Sequence, residues 1–330
     1  MTHAPAPFNI LIVGQSGRLE AEAVLFAASL ARACPGFPGR LIVAEPQPGP
    51  LWPGDPRISP GHRDLLEGFG AEIRPFQSRH FGAAYPNGNK IEGLAVLPPG
   101  EPFLFCDSDT LVLGDVSVLA PHLARPAASM RRSATWPREE VYWPGYGAIW
   151  RSLYDLFGLD FESSLDRSMP DEWWERYLYF NAGWFCGPDP ARFHQHFLDM
   201  ATRIRDDPPE ALALQPLDPW LDQVALPLAI HALGGGRPGP ELARLDGELT
   251  CHYRLFPLLY AREEDRVVAA LEAAATPNAV KRVLKAHRPL QKMVYQGQGR
   301  EVRALFDREA LPAREADLRK AIRAAGYWMR

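Results

Sequence analysis

The sequence predicts an α/β protein in which a mostly parallel central sheet is flanked by helices. Three short apolar runs, at residues 8–14, 40–45 and 102–109, are separated by segments that include helical spacing of apolar residues. Strands that alternate with helices form parallel sheets, and ligands bind beyond the carboxyl ends of such strands. The third run ends in two aspartates, Asp107 and Asp109. We therefore expect the functional site at that edge of the sheet.

The first half of the chain supplies three predicted strands and two predicted helices. FNILIVG ends in glycine and precedes RLEAEAVLFAASLARAC, a helical pattern that is closed by the breakers PGFPG. RLIVAE predicts a second strand, and a long loop rich in proline and glycine follows it. KIEGLAVLP, at residues 90–98, suits a short helix, and PFLFCDSD predicts the next strand.

The second half continues the pattern less regularly. YLYFNAGWFCG predicts a strand, FHQHFLDMATRIRD and DPWLDQVALPLAIHAL predict helices, and ELTCHYR predicts a late strand. From about residue 261 onward, three amphipathic stretches with charge pairs four residues apart predict further helices. We therefore expect an α/β domain over residues 1–260 and a helical C-terminal extension over residues 261–330.

Composition limits the function classes. The formal net charge is −4 with both signs spread along the chain, which argues against a nucleic-acid partner. No apolar run approaches the roughly 20 residues that a membrane helix needs, and the start of the chain lacks the features of a signal peptide. The four cysteines form no C-x-x-C pair, which predicts reduced and buried thiols. We expect a cytoplasmic protein without a transmembrane segment; whether its basic C-terminal helices touch a membrane surface stays open.

Two carboxylates at the end of a buried strand need a partner. Burying a charge costs several kcal/mol unless the charge is paired, hydrogen-bonded or bound to a cation. One hypothesis is that Asp107 and Asp109 bind Mg²⁺ or Mn²⁺, which prefer carboxylate oxygens and keep positions open for phosphate. The other is that both aspartates cap local segments, where this residue type is common. The motif alone does not separate the two.

The order of four other motifs gives the aspartate pair a context. NKIEGL precedes FLFCDSDTLVLGDV, and YFNAGWFCG, DPWLDQVAL and CHYR follow it. In this succession the chain resembles the nucleotide-sugar-dependent glycosyltransferases of the GT-A fold, and in particular the glycogenin-like (family 8 type) retaining enzymes. The resemblance covers about residues 9–254. It implies a Rossmann-like GT-A sheet and a metal-dependent transfer of a hexosyl residue from a nucleoside-diphosphate sugar to a hydroxyl acceptor.

The resemblance also implies a role for each matching residue. Asp107, Asp109 and His252 would hold Mn²⁺ or Mg²⁺, and Asp107 has ribose binding as an alternative role. Gly14 and Gln15 would lie at the nucleoside, and the donor sugar would lie beside the YFNAGWFCG strand. The residues implied in donor binding are Gly14, Gln15, Lys90, Asp107, Ser108, Asn181 and Gly183. A UDP-sugar is the favoured donor, and the acceptor would be a saccharide or another hydroxyl compound.

Asp222 and Gln223 occupy the places where the family has its sugar-contacting acid and amide. In a retaining enzyme, which the resemblance favours, one of them would stabilise an oxocarbenium-like transition state as a weak nucleophile or a dipole. In an inverting enzyme, Asp222 or Asp218 would deprotonate the acceptor hydroxyl. The sequence does not separate these mechanisms.

The chain departs from the family pattern after the late histidine. CHYRLFPLLY lacks the glycine and the Lys-Pro pair that usually follow, so His287 in KAHRPLQK is an alternative metal ligand. We favour His252 because it ends a strand-like apolar segment. Two other functions also stay open. One is a nucleotidyltransferase that makes nucleotide sugars, and the other is a non-catalytic carbohydrate-binding protein that has kept the fold.

Overall fold

The computed structural model describes residues 7–329 and confirms the predicted α/β class. Its eight strands are β1 (Asn9–Val13), β2 (Leu41–Pro46), β3 (Glu72–Phe76), β4 (Phe103–Cys106), β5 (Thr110–Val112), β6 (Ala127–Met130), β7 (Phe180–Gly187) and β8 (Thr250–His252). Six of them form the main sheet in the order β3-β2-β1-β4-β7-β6, and β5 pairs with β8 in a small second sheet. In the main sheet only β7 runs against its neighbours, so this sheet is mostly parallel, as predicted.

Helices follow most of the strands. The α-helices are α1 (Arg18–Ala33), α2 (Pro60–Gly68), α3 (Asn89–Glu92), α4 (Tyr146–Leu156), α5 (Phe161–Ser164), α6 (Pro190–Asp206), α7 (Leu221–Ala232), α8 (Pro240–Ala243), α9 (Phe256–Arg262), α10 (Asp265–Ala275), α11 (Asn278–Leu284), α12 (Arg288–Leu290), α13 (Gln298–Ala304) and α14 (Glu315–Ala324). Shorter 3₁₀ segments are Gly82–Ala84, Pro86–Gly88, Gly93–Val96, Val116–His122, Trp174–Arg176 and Glu210–Leu212, and Gln291–Tyr295 is a π-helical turn. The helix predicted from DPWLDQVAL begins at Leu221 rather than at Asp218. A residue that precedes proline disfavours helical dihedrals, which keeps Asp218 out of the helix.

Both faces of the main sheet are covered, which explains why β1 is a continuous apolar run from Ile10 to Val13. Ile10 and Ile12 belong to one buried cluster together with residues of α1 and α10. Leu11 and Val13 belong to a second buried cluster together with residues of α4, α6 and α7. Successive side chains of a strand point to opposite faces, so a strand covered on both faces is a continuous apolar run.

The direction of β7 decides which residues meet at the carboxyl edge of the sheet. Because β7 is antiparallel to β4, its first half lies beside the carboxyl end of β4. There the backbone N–H of Asp107 donates a hydrogen bond to the carbonyl oxygen of Gly183 at 2.9 Å. Strand β6 pairs with the start of β7 through Met130 and Phe180, and it leads into Arg131 at the same edge. One edge therefore collects the residues that follow β4 and β6 and those that begin β7.

The C-terminal helices pack on the N-terminal half of the chain. Val267 of α10 lies in the same buried cluster as Val24 of α1. The carboxylate of Glu315 in α14 pairs with Arg254, just after β8, at 3.4 Å. The predicted boundary after residue 260 falls within α9, and the division into domain and extension stays a prediction. The ends of both predicted units, residues 1–6 and residue 330, lie outside the described residues.

Two structural features bear on the predictions from composition. All four cysteines are free and buried, as predicted. Burial raises the pKa of Cys186 to about 12 and also raises the pKa of Cys106 and of Cys251, so these thiols stay protonated. Within residues 7–329, no helix combines the length and the apolar character needed to cross a membrane.

Candidate metal and sugar-nucleotide site

Three predicted metal ligands meet at the carboxyl edge of the sheet. Asp107 follows β4, Asp109 precedes β5, and His252 ends β8, where it pairs in register with Thr110. One ligand atom from each of the three lies within 4.8 Å of the others. The Nε2 atom of His252 is 3.1 Å from Oδ1 of Asp109 and 3.7 Å from Oδ2 of Asp107. The small β5–β8 sheet is thus what brings residues far apart in the chain into one cluster.

The charges in this cluster depend on one another. Burial raises the pKa of Asp107 despite the nearby charges of Lys90 and His252. Burial acts in the same direction on Asp109, but the charge and hydrogen bond of His252 outweigh it and lower the pKa of Asp109. Burial opposes the charge on His252, yet the charge of Asp109 raises the pKa of His252. A protonated His252 would act as a counter-ion to the carboxylates, a position that a divalent cation would take more effectively.

Gly183 leaves the space that His252 occupies. A Cβ atom at residue 183 would lie 2.3 Å from Nδ1 of the imidazole and 2.9 Å from its Cε1, far inside van der Waals contact. Only glycine lets the β7 backbone approach the ring so closely. Gly183 therefore determines where His252 lies, and its neighbour Asn181 lines the cavity beside the histidine.

We expect Gly183→Ala to lower the affinity for Mn²⁺ by about 10- to 100-fold, the usual range when a group that orients a metal ligand is disturbed. The added methyl group forces the imidazole away from Asp109. The measurement is a calorimetric Mn²⁺ titration of the full chain. Gly187→Ala is the matched control on the same strand, where a Cβ meets Phe103 and Phe193 at 3.3 Å and no site residue. Unchanged Mn²⁺ affinity in Gly183→Ala would contradict this role.

Lys90 is a buried cation held between two carboxylates. Its Nζ atom lies 3.0 Å from Oδ1 of Asp107 and 3.1 Å from Oδ2 of Asp222, and it donates a hydrogen bond to the carbonyl of Ala182 at 3.2 Å. Burial opposes the charge, but Asp107 and Asp222 outweigh it and raise the pKa of Lys90. Lys90 therefore places a permanent positive charge directly behind the proposed metal ligands.

Asp222 and Gln223 are neighbours in α7 with different surroundings. Asp222 is 1% exposed, and its two carboxylate oxygens are occupied by Lys90 and by the hydroxyl of Tyr85, which donates to Oδ1 at 2.7 Å. Gln223 is only partly buried, and its Oε1 accepts a hydrogen bond from the hydroxyl of Tyr179 at 2.9 Å. Gln223 lines a cavity together with Asn181. Its predicted contact with the donor sugar stays a prediction.

Two further charged side chains, Arg18 and Glu22, lie next to Asp109. The guanidinium of Arg18, in the first turn of α1, is 3.0 Å from Oε1 of Glu22 and 3.6 Å from Oδ2 of Asp109. Ser108 is buried, and its hydroxyl donates to Oε2 of Glu22 at 3.4 Å. Burial and the charge of Asp109 raise the pKa of Glu22 well above its ordinary value. Ser108 thus contacts one of these two side chains and also lines a cavity beside the metal ligands.

Gly14 and Gln15 lie at the end of β1, next to the cluster but not in it. A Cβ at residue 14 would meet Val43 at 2.5 Å and Ile58 at 2.7 Å, so this glycine is required by packing. Gln15 accepts a hydrogen bond from the side-chain amide of Asn89 at 2.9 Å, and Asn89 lines the cavity beside Arg18. Their predicted contact with a nucleoside stays a prediction.

Three adjoining cavities meet at the cluster. The N-terminal cavity, of about 210 Å³, lies between Arg18 and Lys90. The central cavity, of about 250 Å³, shares Asn87, Lys90 and Asp107 with the first. The C-terminal cavity, of about 680 Å³, shares five residues with the central one, namely Arg132, Ser133, Asn181, His252 and Arg254. The shared lining residues make the three cavities parts of one cleft.

The structure separates the two candidate histidines. His252 belongs to the cluster, whereas the ring of His287 packs against Phe256 with 6.4 Å between ring centroids. Sequence reasoning did not select Tyr85, Tyr179, Arg18, Arg131 or Arg254, which also surround the cleft. Arg254 ends the stretch CHYR but lies beyond β8, with a φ of 64°, so the alternation of a strand gave no signal for it. The others carry no recognisable motif.

Comparisons with known proteins find one matching family model and several similar solved structures. A family model described as the Rhodobacterales glycosyltransferase domain matches residues 10–234. One similar solved structure is a galactosyltransferase, LgtC, in complex with donor and acceptor sugar analogues, at 16% identity and a TM-score of 0.40, covering 70% of this chain and 72% of that chain. Another is an active-site glutamine-to-glutamate mutant of LgtC, at 14% identity and a TM-score of 0.48, covering 83% of this chain and 99% of that chain. None of the curated proteins matches the chain.

Proposed function

Because this chain belongs to the Rhodobacterales glycosyltransferase domain family, we propose that it moves a hexosyl residue from a nucleoside-diphosphate sugar to a hydroxyl group of an acceptor. The chain is a glycosyltransferase, which sets aside the alternatives of a nucleotidyltransferase and of a non-catalytic binding protein. A UDP-sugar is the favoured donor, and a saccharide is the favoured acceptor. The observation that carries the proposal is the cluster of Asp107, Asp109 and His252 beside the buried Lys90.

The donor set fits Mn²⁺ or Mg²⁺. Asp107 and Asp109 supply the oxygen ligands that both cations prefer, and the imidazole of His252 favours Mn²⁺ over Mg²⁺. The close approach of Gly183 leaves room for that imidazole. When bound, the cation would neutralise the charge that develops on the departing nucleoside diphosphate.

Two cations of the chain complete the site for a diphosphate. Lys90 and Arg18 both line the N-terminal cavity, and each lies beside one of the two aspartates. Charge-assisted hydrogen bonds from such groups to phosphate oxygens are short and strong. Because Lys90 is already held in place by Asp222, its charge needs little rearrangement when the leaving group departs.

The contacts of α7 divide the roles of the two predicted catalytic residues. Asp222 is fully engaged by Tyr85 and Lys90, so it acts by positioning Lys90. Gln223 is held by Tyr179 and faces the central cavity, so its amide dipole is the group that stabilises positive charge on the sugar. Because an amide cannot serve as the general base that an inverting enzyme needs, Gln223 beside the donor sugar supports a retaining mechanism, which remains part of the proposal.

We expect Gln223→Ala to lower kcat by about 100-fold, the usual effect of removing one preorganised electrostatic group, and to leave donor binding nearly unchanged. Initial rates with the nucleotide sugar measure both quantities, and NMR of the product gives its anomeric configuration. Gln195→Ala, on the exposed side of α6, is the matched control. A kcat equal to that of the wild type would exclude Gln223 from the reaction.

The proposed function is tested by calorimetry of the wild-type chain with UDP and GDP, each with Mn²⁺, with Mg²⁺ and with a chelator. We expect one nucleotide to bind, and to bind only when a divalent cation is present. Failure of every nucleotide to bind with every cation would overturn the proposal.

We also propose a cytoplasmic location for the enzyme. The four free, buried thiols support it, because oxidising compartments favour disulfides. Fractionation of cells that express the full chain tests this location.

A further inference from the structure

The arginines that line the central and C-terminal cavities differ in whether a carboxylate lies close enough to pair with them. The central and C-terminal cavities are lined by Arg131, Arg132, Arg254, Arg262 and Arg314. Four of these have a carboxylate partner, in the pairs Arg132–Asp246 at 3.6 Å, Arg254–Glu315 at 3.4 Å, Arg262–Glu263 at 2.7 Å and Arg314–Asp317 at 2.9 Å. Among residues 7–329, Arg131 has no carboxylate within ion-pair distance.

Arg131 is also the most buried of the five. It follows β6, is 7% exposed, and lies between two aromatic rings, with its guanidinium carbon 4.7 Å from the ring centroid of Trp174 and 4.3 Å from that of Tyr179. It donates hydrogen bonds to the backbone carbonyls of Trp136, at 2.6 Å, and of Trp174. These contacts fix its orientation but bring no negative charge. Burial lowers the pKa of Arg131 to about 10, so the side chain is still charged at neutral pH.

A buried and unpaired cation is costly, so its presence in a ligand cavity indicates an anionic ligand. The diphosphate is not that anion. Arg18 and Lys90, the two cations proposed for the diphosphate, line the N-terminal cavity, whereas Arg131 lines the central cavity and not the N-terminal one. Glu175 itself accepts a hydrogen bond from the indole of Trp173 at 2.7 Å. Arg131 therefore lies outside the cavity proposed for the diphosphate.

The remaining lining of the cavity suits a sugar. Ser133, Thr135 and Asn181 offer hydroxyl and amide groups beside Arg131, and Gln223 lies in the same cavity. A volume of about 250 Å³ is below the range of drug-sized sites and holds one small ring. A single guanidinium balances a single negative charge, which is the charge of a carboxylate and less than that of a phosphate monoester.

On the premise of the proposed function, we propose that Arg131 binds the carboxylate of an acidic sugar in the central cavity. The acid is carried either by the donated sugar or by the acceptor. Planar guanidinium groups recognise carboxylates through two parallel hydrogen bonds, and the aromatic rings that hold Arg131 keep its plane fixed. Arg131 is thus a specificity-determining residue that selects uronic acids over neutral hexoses.

The test compares acidic with neutral sugars by calorimetry of the full chain in Mn²⁺. The donor arm uses UDP-glucuronate and UDP-galacturonate against UDP-glucose and UDP-galactose. The acceptor arm uses methyl glucuronide and methyl galacturonide against the matching methyl glucoside and galactoside, with and without UDP. We expect acidic sugars to bind at least about tenfold more tightly in one arm, in keeping with a charge-assisted hydrogen bond. The arm that responds identifies the carrier of the carboxylate.

In Arg131→Gln we expect this preference to disappear while binding of UDP and of the neutral sugars is unchanged. Arg131→Lys should keep part of the preference for acidic sugars, because the positive charge remains. Arg138→Gln, exposed in the same loop and outside the three cavities, is the matched control and should keep all of it.

Equal binding of acidic and neutral sugars by the wild type in both arms would overturn the inference, and so would an unchanged preference in Arg131→Gln. If Arg131→Gln does not fold, the preference for acidic sugars is compared between Arg131→Lys and the wild type. An unchanged preference in Arg131→Lys would then overturn the inference. Loss of UDP binding in the wild type would count against the proposed function alone, because the acceptor arm without UDP still reports on Arg131.

Discussion

Replacing Asp109 with asparagine is expected to abolish metal-dependent nucleotide binding and to lower kcat/KM by about 1,000-fold or more. Asp109 is 9% exposed, and its Oδ1 is 3.1 Å from Nε2 of His252. Asparagine keeps the shape of the side chain but removes the charge that a divalent cation requires. The backbone carbonyl of Asp109, which accepts a hydrogen bond from the N–H of Tyr253 at 3.0 Å, is unaffected.

The measurement is a calorimetric titration of UDP and Mn²⁺ into both proteins, with initial rates of transfer. Asp199→Asn is the matched control, because Asp199 lies exposed on α6. If Asp109→Asn bound nucleotide with the metal dependence of the wild type, the aspartate pair would have only a capping role.

Replacing Lys90 with methionine is expected to destabilise the fold and to inactivate the enzyme together. The substitution leaves Asp222, whose side chain is 2% exposed, without its cation. Breaking a buried pair by removing one partner costs about 3–5 kcal/mol in the free energy of unfolding. Transfer should fall as well, because the charge beside Asp107 is lost. Chemical denaturation and initial rates measure the two effects.

A second substitution separates these effects. In Lys90→Met/Asp222→Asn the buried carboxylate is neutral, and the asparagine still accepts the hydrogen bond of Tyr85. We expect most of the stability to return and the activity to stay low. Lys320→Met, exposed on α14, is the control for the loss of a lysine. Full activity in the double variant would show that Lys90 is needed only for folding.

The sequence predicted the parts of the site that depend on local order. The apolar run that ends in Asp107 and Asp109 sets a strand end, and strand ends of a parallel sheet meet at one edge. The order of motifs then placed His252, which lies in the metal cluster, and Lys90, which pairs with Asp107. These predictions required only the knowledge of which strand or helix carries each residue.

Contacts between distant elements could not be predicted in the same way. The hydroxyl of Tyr85 reaches Asp222 across 137 residues of sequence, and that of Tyr179 reaches Gln223 across 44. No spacing rule encodes such pairs, because they depend on how helices and loops pack across the sheet. The contact of Gly183 with the donor sugar stays a prediction, and the closeness of residue 183 to the ring of His252 was not predicted.

The antiparallel course of β7 has a practical consequence for engineering this enzyme. With β7 reversed, residues from β4, β6 and β7 all reach the cleft at one edge, and the opposite edge carries none of the proposed ligands. In the turn that joins α1 to β2 on that opposite edge, Pro35, Gly36 and Pro38 are exposed. A tag, a fluorophore or a surface anchor inserted in this turn should leave the cleft accessible to donor and acceptor.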